Sequence, residues 1–481
     1  MKNTINYEFS ETNRGKKQVI IERKYKFNYT YKYVNNTTIY RCTHYKTRYK
    51  CPSFVILNDK DKIIKYKNNH NHLEEKYNAS MSLLKHGINK EIRKNITSTG
   101  MKPKLLFNKV SQKIGIICPD FNSVRTQIRR NINKQYPSDV KTFNEIPDES
   151  QYFKTVRSED FMIFKNSNVV ICQSPFQAKI YSKYNEDIFA DGTFSIVPDF
   201  GYQVFITRNY VKEYNCFYTT SFSILKDKKQ KTYEILLKEI NKNACKYNNN
   251  IIISPIKFHC DFEKAISNAA KKVFPNIKIK FCVWHYKRAL ESNKNHICNI
   301  EMDANEKDLY KEYKAISNLP FINPEYIVEI YKEIKNKCKT NNYVQFLKFL
   351  EYFEENYLNG YKINEWNYYY CIEHITNNAS ESFNKYLNYL IPTKPNFYKL
   401  VNILREEENA SFLDYERRND GIWGKKEKNL SKTEEINNLI EKYKNMESEL
   451  IIKESNRDVI VNLWFKCLRE LNTLDRDPNS N

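Results

Sequence analysis

The sequence predicts a mixed α/β body that follows a small β-rich segment and a basic helical segment. Residues 1–80 are rich in alternating aromatic and β-branched positions, whereas residues 81–150 carry apolar side chains at helical spacing. From residue 150 onward, strand and helix signals alternate along the chain. Alternation of this kind is typical of a sheet that is covered by helices, which gives the α/β class.

Positive charge is concentrated at the front of the chain. The 481 residues include 79 Lys and Arg against 57 Asp and Glu, a net charge of +22. Residues 1–80 hold 17 basic and 7 acidic side chains, and residues 81–136 hold 12 and 2. Because nearly all the excess lies in these two segments, the charge pattern predicts a nucleic-acid-binding front ahead of a near-neutral body.

The sequence also excludes several classes of protein. The first residues contain no apolar signal segment, and no apolar run approaches the roughly 18 residues that span a bilayer. We therefore expect a soluble protein without membrane contact, in a reducing compartment. The 12 cysteines are then free thiols or metal ligands rather than disulfides.

Two cysteines and two histidines in the first segment have the spacing of a metal site. They are Cys42, Cys51, His70 and His72, in the pattern C-x8-C-x18-H-x-H. Four nitrogen and sulfur ligands suit a closed, tetrahedral structural zinc, which a β-rich segment of this size needs for stability. The alternative is a set of unrelated side chains with the histidines in a polar turn, and His44 is a competing ligand.

These residues resemble a FLYWCH-type zinc finger over about residues 17–74. That family has aromatic residues, a Trp-x-Cys element, a second Cys and a terminal His-x-His. Here Tyr40 stands where the family has Trp, two positions before Cys42, and His70 and His72 form the terminal element. The resemblance implies zinc, together with DNA or protein binding.

Three short helices are predicted in the basic segment. Apolar periodicity marks residues 82–96, 105–110 and 124–132, and Asn122 and Ser123 form a candidate N-cap pair before the third. The third helix carries the candidate DNA-binding residues Arg125, Arg129 and Arg130. Two interpretations of the segment are compatible with this pattern, a helix-turn-helix arrangement and a helical linker with a solvated basic face. Either one would neutralise phosphates.

The body alternates strands and helices in an order that suits one mixed sheet. Strands are predicted at 168–172, 188–195, 202–207, 217–225, 256–261 and 277–283, and helices at 231–247 and 263–273. Asp191 lies in the first central strand and Asp261 at the end of the fourth, where the two can lie side by side. Facing carboxylates cannot both stay ionised unless a cation screens them, and Mg²⁺ is the usual solution.

A third acid is expected from a later helix. Residues 376–384 begin one, with Thr376 or Asn378 as its cap and Glu381 in its first turn. Each acid has an ordinary structural alternative. An Asp-Gly pair is often a turn, an Asp before a helix is often an N-cap, and a Glu in a first turn favours the helix dipole.

Four blocks, taken together, resemble a Mutator-like element (MULE) transposase domain. They are Ala-Asp-Gly-Thr-Phe at 190–194, His-Cys-Asp-Phe-Glu-Lys-Ala at 259–265, Phe-Cys-Val-Trp-His at 281–285 and Thr-Asn-Asn-Ala-Ser-Glu-Ser-Phe-Asn at 376–384. The resemblance implies an RNase H-like core and a DDE triad of Asp191, Asp261 and Glu381. It also implies a helical insertion, for which the stretch 303–360 is suitable.

Such a triad supports two-metal phosphoryl transfer with Mg²⁺, or alternatively Mn²⁺. One ion activates water or a DNA 3′-hydroxyl and the other stabilises the leaving oxygen, so no side-chain nucleophile is needed. Glu263 is expected to lie on the surface of the helix after Asp261 rather than to bind metal.

Cys282 and His285 form the C-x2-H element typical of the family, and its role is open. The pair could pack in the core, position DNA, or form half of a metal site that His296 and Cys298 complete. Trp284 and Tyr286 could stack on an extruded base, although core packing is expected for at least Trp284.

We therefore expect six segments along the chain: a zinc finger (1–80), a basic helical segment that binds DNA or serves as a linker (81–150), the first part of the core (151–300), the insertion (301–372), the last core helix (373–395) and a helical tail (396–481). Tail helices are predicted at 400–412 and 436–451, and residues 472–481 are expected to be frayed. The family's C-terminal Cys/His-rich zinc element is absent, since Cys467 is the only tail cysteine.

The predicted function is a nuclear DDE-type DNA transposase. It would bind the terminal inverted repeats of a transposon and target DNA, both double-stranded, as a homo-oligomer. The rival is a domesticated, non-catalytic DNA-binding regulator derived from such an enzyme. A third possibility is a zinc-finger interaction protein whose body is only a scaffold.

Overall fold

The structure is a computed structural model that describes residues 5–12, 14–34, 36–94, 103–249, 253–372, 374, 378–426 and 431–471. The chain divides into two compact units. Unit 1 comprises residues 1–139, 390–392 and 396–403, and unit 2 comprises residues 140–389, 393–395 and 404–481. All twelve cysteines are free thiols. None of the described helices combines the length and the apolar composition that a membrane crossing requires.

The β-rich part of unit 1 is a six-stranded antiparallel sheet whose strands follow one another in chain order. The strands are β1 (Tyr7–Glu11), β2 (Lys17–Ile21), β3 (Tyr25–Lys32), β4 (Thr38–Cys42), β5 (Phe54–Leu57) and β6 (Ile63–Lys67). Alternate positions such as Val19, Ile21, Val55 and Leu57 are buried in one small core. This period-two burial confirms the predicted strand character of the segment.

Three helices complete the first part of unit 1: α1 (Lys76–Lys94), α2 (Pro103–Ile114) and α3 (Phe121–Asn133). Their apolar faces form one core that also contains Ile20 of β2. The segment is therefore a packed helical layer of the unit rather than a linker. The predicted N-cap of α3 was wrong. Asp120 caps the helix, and its side chain accepts hydrogen bonds from the amides of Asn122 and Ser123.

Unit 2 is built on a seven-stranded mixed sheet, which confirms the predicted α/β class. Its strands are β7 (Met162–Lys165), β8 (Val169–Cys172), β9 (Asp187–Thr193), β10 (Gln203–Val211), β11 (Cys216–Leu225), β12 (Lys257–Cys260) and β13 (Lys278–Phe281). They lie in the order β13-β12-β9-β10-β11-β8-β7. The β9–β12 and β12–β13 pairs are parallel and the others are antiparallel.

Three helices connect these strands: α4 (Pro175–Lys183), α5 (Gln230–Cys245) and α6 (Lys264–Val273). Helices α5 and α6 lie where the apolar periodicity predicts them. Helix α4 was not predicted, although its start has a sequence signal. Ser174 and Gln177 form a reciprocal capping box and Pro175 occupies the first turn.

After β13, the described part of the chain consists of helices and their connections. The helices are α7 (Val283–Ala304), α8 (Glu306–Asn318), α9 (Ile327–Thr340), α10 (Val344–Phe353), α11 (Ile363–Trp366), α12 (Asn378–Leu390), α13 (Phe397–Asn419), α14 (Ser431–Ile452) and α15 (Arg457–Glu470). The stretch 303–360 is thus helical, as expected. Residues 472–481 and the candidate cap Thr376 lie outside the described residues.

Candidate active site and zinc centre

Asp191 is a buried carboxylate in the middle of unit 2. It lies on β9, and only 7% of its surface is exposed. The backbone amide of Gly192 donates to its Oδ1 over 2.7 Å, and Asn384 Nδ2 donates to its Oδ2 over 2.7 Å. A Cβ at residue 192 would lie 2.3 Å from Gln203 Oε1, so a larger residue there would require the Gln203 side chain to move.

Asp261 is brought towards Asp191 by strand pairing. Strands β9 and β12 are parallel, with Asp187 opposite Lys257 and Ile188 opposite Phe258. The same offset separates Asp191 from Asp261, which follows the last residue of β12. Since the two strands run side by side in this register, both carboxylates lie at the same edge of the sheet.

Glu381 comes from the first turn of α12, and several contacts hold that helix at the sheet. The buried Arg208 of β10 donates to the carbonyl of Ala379. Asn388 Oδ1 accepts from Thr193 Oγ1 over 3.1 Å and from Ser195 Oγ over 2.6 Å. Both ends of α12 are therefore tied to the sheet that carries Asp191.

His285 joins the three acids into one cluster. Its Nδ1 lies 2.9 Å from Asp261 Oδ1 and 3.8 Å from Glu381 Oε1. Cys282 Sγ lies 3.9 Å from Glu381 Oε1. The C-x2-H element is thus part of the acid site. The proposed completion by His296 and Cys298 does not occur, because Cys298 is buried farther along α7 and contacts the carbonyl of Gln345.

The electrostatics of the cluster show unbalanced negative charge. Burial and repulsion from Asp261 raise the pKa of Asp191 to about 7; Glu381 adds to the rise, and Gly192 and His285 oppose it. Burial alone would lower the pKa of His285, but its hydrogen bonds with Asp261 and Cys282 raise it to about 10. A protonated imidazole therefore supplies positive charge where carboxylates converge.

The donor set of the cluster could hold divalent cations. Three carboxylates supply hard oxygen ligands of the kind that Mg²⁺ prefers. Asn384 Oδ1, beside Asp191, is buried and has no hydrogen-bond partner among the described residues, so it offers a further oxygen. Cys282, His285 and Glu381 also place one ligand atom each within 4.8 Å of one another, a softer set.

Glu263 lies in the site rather than on a helix surface, contrary to expectation. It precedes α6 as its N-cap residue and pairs with Lys228 Nζ over 2.7 Å. A cavity of about 60 Å³ lies between Glu263, Lys228 and Asp191. The sequence carries no capping signal for this position, because Glu is not a preferred N-cap residue and Glu263 makes no capping hydrogen bond.

The two aromatic residues that flank His285 have opposite environments. Tyr286 is fully buried and donates its hydroxyl hydrogen to the carbonyl of Ile316 over 2.7 Å. Trp284 is partly exposed and lines an open groove. The expectation that Trp284 packs in the core was therefore wrong, and Tyr286 takes that role.

The four predicted zinc ligands of unit 1 converge. Cys42 Sγ lies 3.3 Å from His72 Nε2, Cys51 Sγ lies 3.5 Å from His70 Nδ1, and the two histidine nitrogens are 3.1 Å apart. A tetrahedral zinc with Zn–S of about 2.3 Å and Zn–N of about 2.0 Å spaces its ligands roughly 3.3–3.8 Å apart. The cluster has nearly these dimensions, which supports structural zinc.

Their surroundings favour metal ligation as well. Burial and the neighbouring His72 lower the pKa of His70 to about 4, so its imidazole is neutral and can bind metal. Tyr25 stacks on the His70 ring at 3.6 Å between centroids and fixes its orientation. His44 is not in the cluster and instead lies 3.2 Å from Glu75 Oε1.

The candidate DNA-binding residues lie together on one helix. Arg125, Arg129 and Arg130 are all exposed on α3, opposite a face that buries Val124, Ile128 and Ile132. None of the three makes an ion pair with a described carboxylate. Their guanidinium groups are thus directed to solvent, as phosphate contacts require.

Comparison with known proteins gives two matches and one negative result. Residues 9–72, which include all four zinc ligands, match the FLYWCH zinc finger domain. Residues 188–289, which include Asp191, Asp261, Cys282 and His285, match the MULE transposase domain. No curated protein matches the chain. The two domains indicate a transposase-related, DNA-binding protein. The chain therefore carries a MULE transposase domain behind an N-terminal FLYWCH zinc finger domain.

Proposed function

We propose that this protein is a DDE-type DNA transposase that cuts and joins DNA strands by two-metal phosphoryl transfer. The observation that carries the proposal is the convergence of Asp191, Asp261 and Glu381 around His285. Three carboxylates from distant parts of the chain are costly to bring together unless cations offset their charge. A cluster of this composition suits Mg²⁺ ions that also bind a phosphate.

The sheet supports an RNase H-like core for the enzyme. Strands β9 to β13 are adjacent in the sheet, and when they are numbered in chain order from β9 they lie in the order third, second, first, fourth and fifth. The first three are antiparallel and the last two run parallel to the first. The helical stretch between β13 and α12 then takes the place of the insertion that the resemblance implies.

The residues of the chain have separate tasks in the proposed reaction. Asp191 is held in one orientation by its two hydrogen bonds, and Asn384 joins it to the helix that carries Glu381. His285 positions Asp261 and holds a proton at Nδ1. When bound, divalent ions supply activation of the attacking hydroxyl and stabilisation of the leaving oxygen. The side chains need only fix those ions and the phosphate, so no covalent enzyme intermediate forms.

Unit 1 is proposed to supply the DNA contacts. A zinc-stabilised sheet and the exposed arginines of α3 carry much of the positive charge of the chain. Such a surface binds phosphates at transposon ends and in target DNA. We further propose that the protein forms a homo-oligomer on DNA, because a transposase must hold two DNA ends. A nuclear location is proposed because its DNA substrate would be there.

Strand cleavage tests the proposal directly. The purified chain is incubated with labelled duplex DNA from the flanks of its gene, with and without Mg²⁺. Wild type should nick the DNA only with the metal. Asp191→Asn, Asp261→Asn and Glu381→Gln should each lose at least about 100-fold in rate, because metal-held charge is worth several kcal/mol.

A matched control is Glu186→Gln, which removes a mostly exposed carboxylate that pairs with Lys212 just before β9. It should cleave like wild type. If Asp191→Asn also cleaves like wild type, the enzyme proposal is wrong. If wild type binds the DNA tightly but never cleaves it, the protein is instead a domesticated regulator.

A further inference from the structure

We propose that a groove along helices α7 and α8 binds unpaired bases of a DNA strand. This α7–α8 groove has a volume of about 700 Å³ and is lined by Trp284, Lys287, Arg288, Lys294, Tyr310 and Tyr313. The inference rests on the proposed function in one respect: the strand it would bind is the one that reacts at the acid cluster.

The groove offers flat surfaces on which bases can stack. Trp284 is partly exposed, and the Arg288 guanidinium carbon lies 5.0 Å from its ring centroid. Tyr310 is 47% exposed. Trp366 and Trp464, by contrast, are 1% and 0% exposed, as tryptophans in a core are. Exposed aromatic rings paired with arginine are the surfaces that single-stranded nucleic acids use, because every base has a π-face.

The charge of the groove suits a phosphate backbone. Three cations, Lys287, Arg288 and Lys294, line it together with one acid, Glu291. The carboxylate of Glu291 is already engaged by Lys294 Nζ at 2.7 Å and by the Tyr313 hydroxyl at 2.6 Å. The groove is therefore net positive beside its aromatic rings, and this combination attracts nucleic acid more than an apolar peptide.

The groove begins beside the acid cluster. The Trp284 ring centroid lies 4.6 Å from that of His285, and His285 Nδ1 is 2.9 Å from Asp261 Oδ1. A strand with a phosphate at the acids therefore has neighbouring nucleotides within reach of Trp284. Reaction at that phosphate would be helped if one or two adjacent bases were held out of the duplex.

Unpaired bases fit the groove better than a duplex does. Within a duplex the base faces stack on one another, so Trp284 could not reach them without extrusion. The volume of about 700 Å³ is in the range of pockets for small ligands, roughly 300–1,000 Å³. A groove of this volume accommodates a few nucleotides of a single strand, which needs less width than a double helix.

Tryptophan fluorescence gives a direct test on the full chain. The sequence has four tryptophans, and two of them, Trp366 and Trp464, are buried. Besides Trp284, solvent therefore reaches Trp423, which is 41% exposed. In a Trp423→Phe background, a short oligothymidylate should quench the emission as bases stack on Trp284. Adding Trp284→Phe to that background should abolish the quenching. Undiminished quenching in the double variant would overturn the inference.

Affinity provides the second readout, measured without added Mg²⁺. Trp284→Ala should weaken binding of the single-stranded oligonucleotide by roughly 5- to 100-fold, while binding of a duplex of equal length stays near wild type. Tyr310→Ala, at an exposed position, should weaken the same interaction and keeps the test decisive if Trp284→Ala is poorly folded.

The matched control is Trp423→Ala. Trp423 also has a stacked arginine, with the Arg417 guanidinium carbon 4.7 Å from its ring, but it does not line the groove. Its replacement should leave single-strand affinity unchanged. Equal losses for single-stranded and duplex DNA in Trp284→Ala would contradict the inference.

The outcomes separate this inference from the proposed function. If cleavage needs Asp191 but Trp284 affects neither quenching nor affinity, the enzyme stands and the groove does not bind bases. If Trp284 governs single-strand binding while Asp191→Asn cleaves like wild type, the groove stands and the enzyme proposal falls.

Discussion

The side-chain amide of Asn384 donates to Oδ2 of Asp191 over 2.7 Å, although 193 positions separate the two residues. This bond joins helix α12, which carries Glu381, to strand β9, which carries Asp191. The buried amide of Asn384 is thus one of the contacts that fix the relative position of two of the three acids, and the one that touches Asp191 itself. Asn384 is therefore a positioning residue of the proposed active site.

Asn384→Ala should lower both stability and activity. The buried carboxylate of Asp191 would lose one of the two hydrogen-bond donors described above. A buried acceptor left without its partner costs about 1–3 kcal/mol, which we expect as the drop in the free energy of unfolding in urea. Cleavage should fall further than the folded fraction does, because the direct contact between Asp191 and the helix that carries Glu381 is lost.

Lys385→Ala is the control on the same helix, because Lys385 is exposed and next in sequence. It should change the free energy of unfolding by less than about 0.5 kcal/mol. If the two alanine variants unfold at the same urea concentration, Asn384 does not fix Asp191.

Much of this site was predictable because its parts are marked locally. Asp191 interrupts a run of apolar strand residues, and a buried charge in a strand needs a partner. Asp261 follows a strand and precedes a helix, and Glu381 opens another helix. The zinc ligands were predictable for a similar reason, since few side chains bind zinc and their order along the chain was complete.

The remainder depends on tertiary contacts that sequence spacing does not encode. The ion pair between His285 and Asp261 requires α7 to begin beside the end of β12, which becomes known only from the strand order. The positions of Glu263 and Trp284 likewise follow from what packs against their elements. Helix α4 was missed because its short apolar face resembles that of a strand, whereas its capping box is a weaker signal.

Loss of a zinc ligand should unfold the sheet of unit 1. Cys42→Ser removes one of four converging ligands, and a small β-rich domain depends on its metal for folding. We expect the variant to bind less than one equivalent of zinc, measured by elemental analysis, and to lose the protection of amide hydrogens in β2–β5. The amides of the seven-stranded sheet in unit 2 should remain protected.

Cys118→Ser is the control for the loss of a thiol, since Cys118 lies in unit 1 but outside the cluster. His44→Ala tests the competing ligand. Both variants should retain zinc. Full zinc content in Cys42→Ser, or its loss in His44→Ala, would mean that a different ligand set binds the metal.

The arginines of α3 should govern the salt dependence of DNA binding. Replacing Arg125, Arg129 and Arg130 by Gln removes three exposed cations that make no ion pair with a described carboxylate. Each phosphate contact contributes about 0.9 to the slope of log affinity against log salt, so the triple variant should lose roughly 2–3 units of slope. Fluorescence anisotropy at several salt concentrations measures it.

A charge-matched control uses Lys238, Lys242 and Lys246, which are exposed along α5 and just after it. Their replacement by Gln lowers the net charge equally but should leave the slope near that of wild type. Equal changes in the two triple variants would show that total charge, and not α3, sets the affinity.

Asp191→Asn should make the metal-free protein more stable above neutral pH, even though it abolishes the proposed activity. Burial and repulsion from Asp261 raise the pKa of Asp191 to about 7, whereas an unfolded Asp ionises near pH 3.9. Between these values the unfolded chain releases its proton first, so wild type loses stability as pH rises through this range. The side-chain amide of Asn at position 191 does not ionise in this range, and its N–H can donate to the unpartnered Oδ1 of Asn384.

The measurement is urea unfolding of unit 2 at several pH values between about 5.5 and 8, with zinc held constant. The free energy of unfolding of Asp191→Asn, relative to that of wild type, should increase as pH rises, by more than about 1 kcal/mol at the upper end.

Asp187→Asn on the same strand is the control with the opposite sign. Burial tends to raise the pKa of Asp187, but the hydrogen bond from His259 and the nearby charges of His259 and Lys257 together hold it below its usual value. Replacing the carboxylate should therefore destabilise the fold. Added Mg²⁺ should stabilise wild type and not Asp191→Asn, because only the ionised cluster binds the cation. A wild type that is insensitive to Mg²⁺ would contradict the proposed metal site while leaving the pH dependence intact.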